Sequence, residues 1–148
     1  NESGFRDIIE RRVLQDKVPV LGICVGLQML MESSEEGDLP GLGWVKGKTV
    51  AFDKAQLIEE QKIPNMGWLD ITFSKPSKLA EGLEDARFYF AHSFHVKPVD
   101  EKDTLITASY GYEFTAGIEK DNILGVQFHP EKSHRFGMQL FKNFAANY

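Results

Sequence analysis

Among the 148 residues there is one cysteine, Cys24, and it stands in the run Gly22-Ile23-Cys24-Val25-Gly26. A short apolar stretch, Val18-Pro19-Val20-Leu21-Gly22-Ile23, precedes it and reads as a parallel strand buried on both faces. The segment Gly26-Leu27-Gln28-Met29-Leu30-Met31 after it reads as helical. A nucleophile between two glycines at a strand-to-helix turn has the context of a nucleophile elbow. So tight a turn strains the central residue, and small neighbours on both sides avoid collision, which accounts for the two glycines. The turn also brings the thiol to a helix N-terminus, whose unpaired N–H groups favour thiolate, and aims the Val25 N–H at a developing oxyanion. The competing reading is that Cys24 is an inert buried thiol, the commoner fate of a lone cysteine.

Thiol chemistry needs a base. Gly125-Val126-Gln127-Phe128-His129-Pro130-Glu131-Lys132 begins as a strand and is stopped by Pro130, so His129 lies at a strand end, where open α/β sheets carry functional groups. Glu131, two residues on, can accept from the far ring nitrogen and stabilise an imidazolium. A satisfied core histidine beside a solvated acid is the alternative. His92 and His95 flank Ser93-Phe94, and His134 starts the C-terminal helix, none with a carboxylate so close. One cysteine and scattered histidines lack the paired spacing of a zinc site, so no metal is expected.

The elements that must position these residues follow from periodicity. Ser3 can cap a helix with Phe5, Ile8, Ile9 and Val13 on one face, ending near Asp16 and Lys17. Pro40-Gly41-Leu42-Gly43 is a loop. Strands are expected at 45–52, 69–73, 87–91, 105–110, 112–119 and 123–128, with a short helical segment at 77–83. An amphipathic C-terminal helix presents Phe136, Leu140, Phe141 and Phe144 on one face. Helices bracketing a strand-rich middle, without repeat or linker, make one α/β domain over residues 1–148.

Composition narrows the function classes. A formal net charge of −5 without a basic tract argues against nucleic acid. The composition is that of a soluble protein, and no apolar run nears the roughly 20 residues that span a bilayer, so no membrane partner is expected. A single cysteine agrees with a reducing cytoplasm.

Taken together, Gly22-Ile23-Cys24-Val25-Gly26-Leu27-Gln28 and His129-Pro130-Glu131 resemble the motifs of class I glutamine amidotransferases. Within that class the chain is most similar to the glutaminase subunits of imidazole glycerol phosphate synthases, through Pro64-Asn65-Met66-Gly67-Trp68, Phe88-Tyr89-Phe90-Ala91-His92-Ser93-Phe94 and Phe128-His129-Pro130-Glu131-Lys132-Ser133. The resemblance implies a flavodoxin-like sheet flanked by helices and glutamine as substrate. Cys24 would be the nucleophile, His129 the proton shuttle and Glu131 its orienter. It also implies that Gln28 and the His92-Ser93-Phe94 loop hold glutamine, and that Pro64, Met66, Trp68 and Lys132 face a barrel synthase subunit in a heterodimer that receives the ammonia. No cofactor is implied. The family often has tyrosine at Phe94 and asparagine at Leu69. Family members begin with about fifty to sixty further residues, including the first strands of the sheet and a glycine-rich loop with a second oxyanion donor, so a chain lacking an N-terminal portion is expected. A relative aminating sugars of surface glycans, or an inactive binding module of the same fold, are the alternatives.

Overall fold

A computed structural model describes residues 4–148. Helix α1 (Phe5–Glu10) runs directly into a π-helical turn (Arg11–Gln15). The Ser3 cap lies outside the described residues. Of the expected apolar face, Val13 is buried and Ile9 packs beside it, while Phe5 and Ile8 are largely exposed.

Strand β1 (Val20–Ile23) is followed by the short helix α2 (Val25–Met29). The remaining elements are β2 (Ser33–Ser34), β3 (Gly47–Ala51), β4 (Asn65–Asp70), β5 (Thr72–Phe73), β6 (Arg87–His92), β7 (Phe94–Pro98), β8 (Thr104–Tyr110), β9 (Tyr112–Lys120), β10 (Ile123–Val126) and α3 (His134–Asn147). The main sheet runs β1-β10-β9-β7-β3-β2, with β8 on β9 and β5 on β8, while β4 and β6 form a separate antiparallel pair. This is a mixed sheet flanked by few helices, the α/β arrangement expected.

Three expectations about strands are corrected. β1 is parallel, as read, but among the described residues it pairs only with β10, and all four of its residues are half-buried. It thus has the sheet's cover on one edge only, although Leu21 and Ile23 pack on the core. The strand expected at 69–73 is two strands: Ile71 turns inward between β4 and β5, which pair with different partners. β7 was not anticipated. It follows β6 after a single residue, Ser93, where the chain passes from the two-stranded sheet to the main one.

Two apolar clusters sandwich the main sheet. β10 divides between them, sending Leu124 and Val126 into the cluster under α3 and Ile123 into the one around Leu27, Leu30 and Val13. In α3, Leu140 is buried and Phe136 and Phe144 pack on the core, but Phe141 is 37% exposed. The position one turn from Leu140 that is buried instead is Asn143, whose amide donates to the Leu79 and Glu81 carbonyls at 2.8 and 2.7 Å. A buried amide is tolerated there because its hydrogen bonds are made.

Candidate active site

The two parallel neighbours β1 and β10 end in register, Ile23 opposite Val126, and each hands its chain to a chemical group. Cys24 comes one residue after β1. Its N–H continues the ladder to the Val126 carbonyl at 2.8 Å, and its backbone then turns sharply, φ 53 and ψ −106, to cap α2. A non-glycine residue at positive φ is uncommon and carries strain. The elbow explains Gly22: a Cβ there would lie 2.7 Å from the Gly26 backbone carbon and 2.9 Å from the Leu27 nitrogen. Gly26 does not share this reason. A Cβ on it would meet nothing within 4 Å, because Gly26 presents its backbone, and not its Cα hydrogen, to the crowded side of the turn.

His129 follows β10 by three residues and is held from several directions. Its N–H donates to the Tyr89 carbonyl (2.9 Å), and its own carbonyl accepts from Ser133 Oγ (2.7 Å). That hydroxyl, fully buried, in turn accepts from the Tyr89 N–H at 3.0 Å. Beneath the turn, α3 approaches so closely at Gly137 that a Cβ would fall 1.7 Å from the Pro130 carbonyl oxygen. The Glu131 carboxylate lies 2.6 Å from His129 Nδ1. A carboxylate can only accept from that nitrogen while it carries a hydrogen, so in the neutral ring Nε2 keeps the lone pair and is the basic atom.

The N–H groups expected to favour the thiolate are present, but burial opposes them. Burial pushes the Cys24 thiol above its ordinary value, outweighing the hydrogen bonds from the Val25 N–H and Gln127 that act the other way. The charge of Glu131 also raises it. A five-residue α2 has too few aligned peptides to overcome desolvation. This balance favours the thiol, so a sulfur acting as nucleophile would need a base to take its proton.

The other expected residues fall in two groups. Gln28 donates through Nε2 to the Phe94 carbonyl (3.3 Å) and to Gln127 Oε1 (3.2 Å). His92 is buried, with Nδ1 donating to the same Phe94 carbonyl (2.7 Å) and Nε2 accepting from Asn65 Nδ2 (3.0 Å). Its imidazole thus supports the loop from behind, and burial lowers its pKa to about 4. Ser93 accepts from the Phe52 N–H through its carbonyl at 3.4 Å. Apart from these, Met66 and Trp68 stand exposed on one face of β4, Trp68 stacked on His134 at 5.7 Å, and Pro64 and Lys132 are exposed. Sequence reasoning passed over Gln127 and Ser133. A glutamine inside an apolar strand was the available signal for the first. Among the described residues no cluster of His, Cys, Asp or Glu could hold a metal ion, and no helix is long and apolar enough to cross a membrane.

A cysteine elbow after one strand and a histidine–carboxylate pair after its parallel neighbour are the groups that thiol-dependent acyl transfer would use on an α/β sheet. The chain matches the family model Glutamine amidotransferase class-I over residues 6–148, and it belongs to that family. Among its relatives is the imidazole glycerol phosphate synthase subunit HisH 2 of Methanococcus maripaludis, 52% identical, the match covering 97% of this chain and 70% of the relative. The imidazole glycerol phosphate synthase subunit HisH of Bdellovibrio bacteriovorus is 54% identical, with 98% and 72% covered. Among solved structures, a glutamine amidotransferase superposes with a TM-score of 0.68 at 17% identity, covering 98% of this chain and 70% of that one. Another, from Thermotoga maritima, gives 0.60 at 21% identity, with 95% and 52% covered. These two bear on the fold alone.

Proposed function

We propose that this chain is the glutamine-hydrolysing subunit of an imidazole glycerol phosphate synthase, serving histidine biosynthesis in the cytoplasm. The observation that carries the chemistry is the strained Cys24 elbow on β1 beside the strand that leads to the His129–Glu131 pair. The acceptor is supported by relatives of that name at 52% and 54% identity.

In this reading, Cys24 Sγ attacks the side-chain amide carbon of glutamine while its proton passes to His129 Nε2. The Val25 N–H supports the resulting oxyanion. His129 gives the proton to the departing nitrogen, the C–N bond breaks, and ammonia leaves behind a glutamyl thioester. Water then adds to the thioester carbon with His129 as base, and glutamate departs as the thiol regains its proton. Gln28 and the Ser93-Phe94 segment hold the substrate. Ammonia passes to a barrel synthase subunit docked on Pro64, Met66, Trp68 and Lys132, a face on which β4 exposes two large apolar side chains.

The test is glutamate release from glutamine with and without the barrel synthase. Release that rises with the synthase is expected, and Cys24→Ala should lower it by about 10⁴-fold or more. No release in either condition from the full chain would reject the reading. Stimulation by a sugar-amidating synthetase in place of the barrel would reassign the acceptor.

A further inference from the structure

Gln127 is a fully buried primary amide between Val126 and Phe128, both also fully buried. An amide taken from water into such surroundings costs on the order of 1–3 kcal/mol unless its polar atoms are paired. Here each is paired, and the pairing has a direction. The Phe94 carbonyl can only accept, so the Gln28 group beside it at 3.3 Å must be the NH₂ end. The second hydrogen of that NH₂ then points to Gln127 at 3.2 Å, which must answer with Oε1. The Gln127 NH₂ is left facing Cys24 Sγ, 3.6 Å away. The opposite orientation would set two donors against each other at Gln28. The first carbonyl is itself anchored by His92 Nδ1 at 2.7 Å, and His92 by Asn65 at 3.0 Å.

We infer that Gln127 is a positioning residue for the nucleophile: its N–H, aimed by Gln28, holds the Cys24 sulfur in place and supports the negative charge there when the proton leaves. The inference rests on the reading of Cys24 as the attacking thiol. A sulfur with one lone pair engaged by the residue that follows β10 is restrained on a short, half-buried elbow, whose next residue, Val25, is 60% exposed. The thiol itself can donate to the Ala91 carbonyl, 4.0 Å from the sulfur. The Gln127 and Val25 N–H groups favour the thiolate, while burial and the carboxylates of Glu131, from the turn after β10, and Glu36, from the loop after β2, disfavour it. Hydrogen bonding to the charged form is the contribution a side-chain substitution can remove without touching the backbone of the elbow.

The experiment is iodoacetamide alkylation of Cys24 in the full chain, followed on the Cys24 peptide by mass spectrometry across the neutral and alkaline range. Gln127→Met keeps the volume and removes the donor. It should move the alkylation midpoint upward by about one pH unit, a roughly tenfold loss of labelling rate at neutral pH. Gln127→Glu, which puts a carboxylate against the sulfur, should move it further. Gln28→Met, which unpins the Gln127 amide, should move it in the same direction by less, and decides the matter if Gln127→Met does not fold. In turnover, Gln127→Met should lower kcat with little change in KM. An unshifted midpoint in a cooperatively melting Gln127→Met protein overturns the inference, even if the wild type hydrolyses glutamine. A shifted midpoint in a chain without glutaminase activity upholds the coupling and rejects the glutaminase reading instead.

Discussion

β1 and β10 lie side by side and, in the proposed reaction, deliver its two halves, yet they are built differently. β10 sits between β1 and β9, with all four residues buried, and the base that follows it is tied to β6, to Ser133 and to α3. β1 has one partner among the described residues and is half-buried throughout, and the nucleophile after it stands on a five-residue helix. The base is thus held by the fold as a whole. Among the described residues the nucleophile is held by one ladder hydrogen bond, a strained turn, the Gln127 amide and, at 4.0 Å, the Ala91 carbonyl.

The difference can be probed from both arms. On the base arm the largest effect is expected at Glu131→Gln, which would remove the charge that stabilises the imidazolium in the proposed reaction. Glutamine turnover should fall about 10²-fold, less than at a fully buried triad carboxylate because Glu131 is 47% exposed and partly screened. An unchanged rate would show that His129 needs no orienter. Next, Gly137→Ala forces a methyl into the Pro130 carbonyl and should cost about 1–3 kcal/mol in denaturant unfolding, with turnover falling too. Gly26→Ala on the nucleophile arm meets open space and should leave stability within about 0.5–1 kcal/mol, on the favourable side. Equal costs at the two glycines would erase the contrast.

A smaller effect belongs to the support behind the nucleophile. The His92 pKa is lowered to about 4 from 6.5, so the folded chain keeps the ring neutral where the unfolded chain protonates it. Its contribution is complete above the unfolded value. It is lost as pH falls from about 6.5 through 4, by up to about 1.4 kcal/mol per pH unit. His92→Gln should flatten that acid limb in urea titrations, and an unaltered limb would mean the ring is not held neutral.

What the sequence disclosed and what it hid divide along the same lines. The elbow and the His129-Pro130-Glu131 turn were legible because their signals are local: glycine beside the nucleophile, a proline that stops a strand, a carboxylate two residues from an imidazole. So were the α/β class and most strands. β7 escaped because its burial pattern does not alternate: His95 and Val96 are both buried, and one residue separates it from β6. The split at Ile71 depends on which partner each half finds, and that is set elsewhere in the chain. The full burial expected of β1 presupposed neighbours on both edges. Gln127 acquires meaning only through the register of β1 on β10, and His92 only through Asn65, 27 residues away. Motif reading found the N–H groups that favour the thiolate but could not weigh the desolvation that opposes them.

The twist at residue 24 has an evolutionary consequence. With φ 53 and ψ −106 this position suits glycine better than any residue with a side chain, at a strain of about 1–3 kcal/mol. Cys24→Gly should therefore melt at a higher temperature than the wild type while hydrolysing no glutamine. Drift toward a sturdier fold alone would favour glycine here, so a thiol on so awkward a backbone needs a use that offsets its strain, which the proposed hydrolysis supplies.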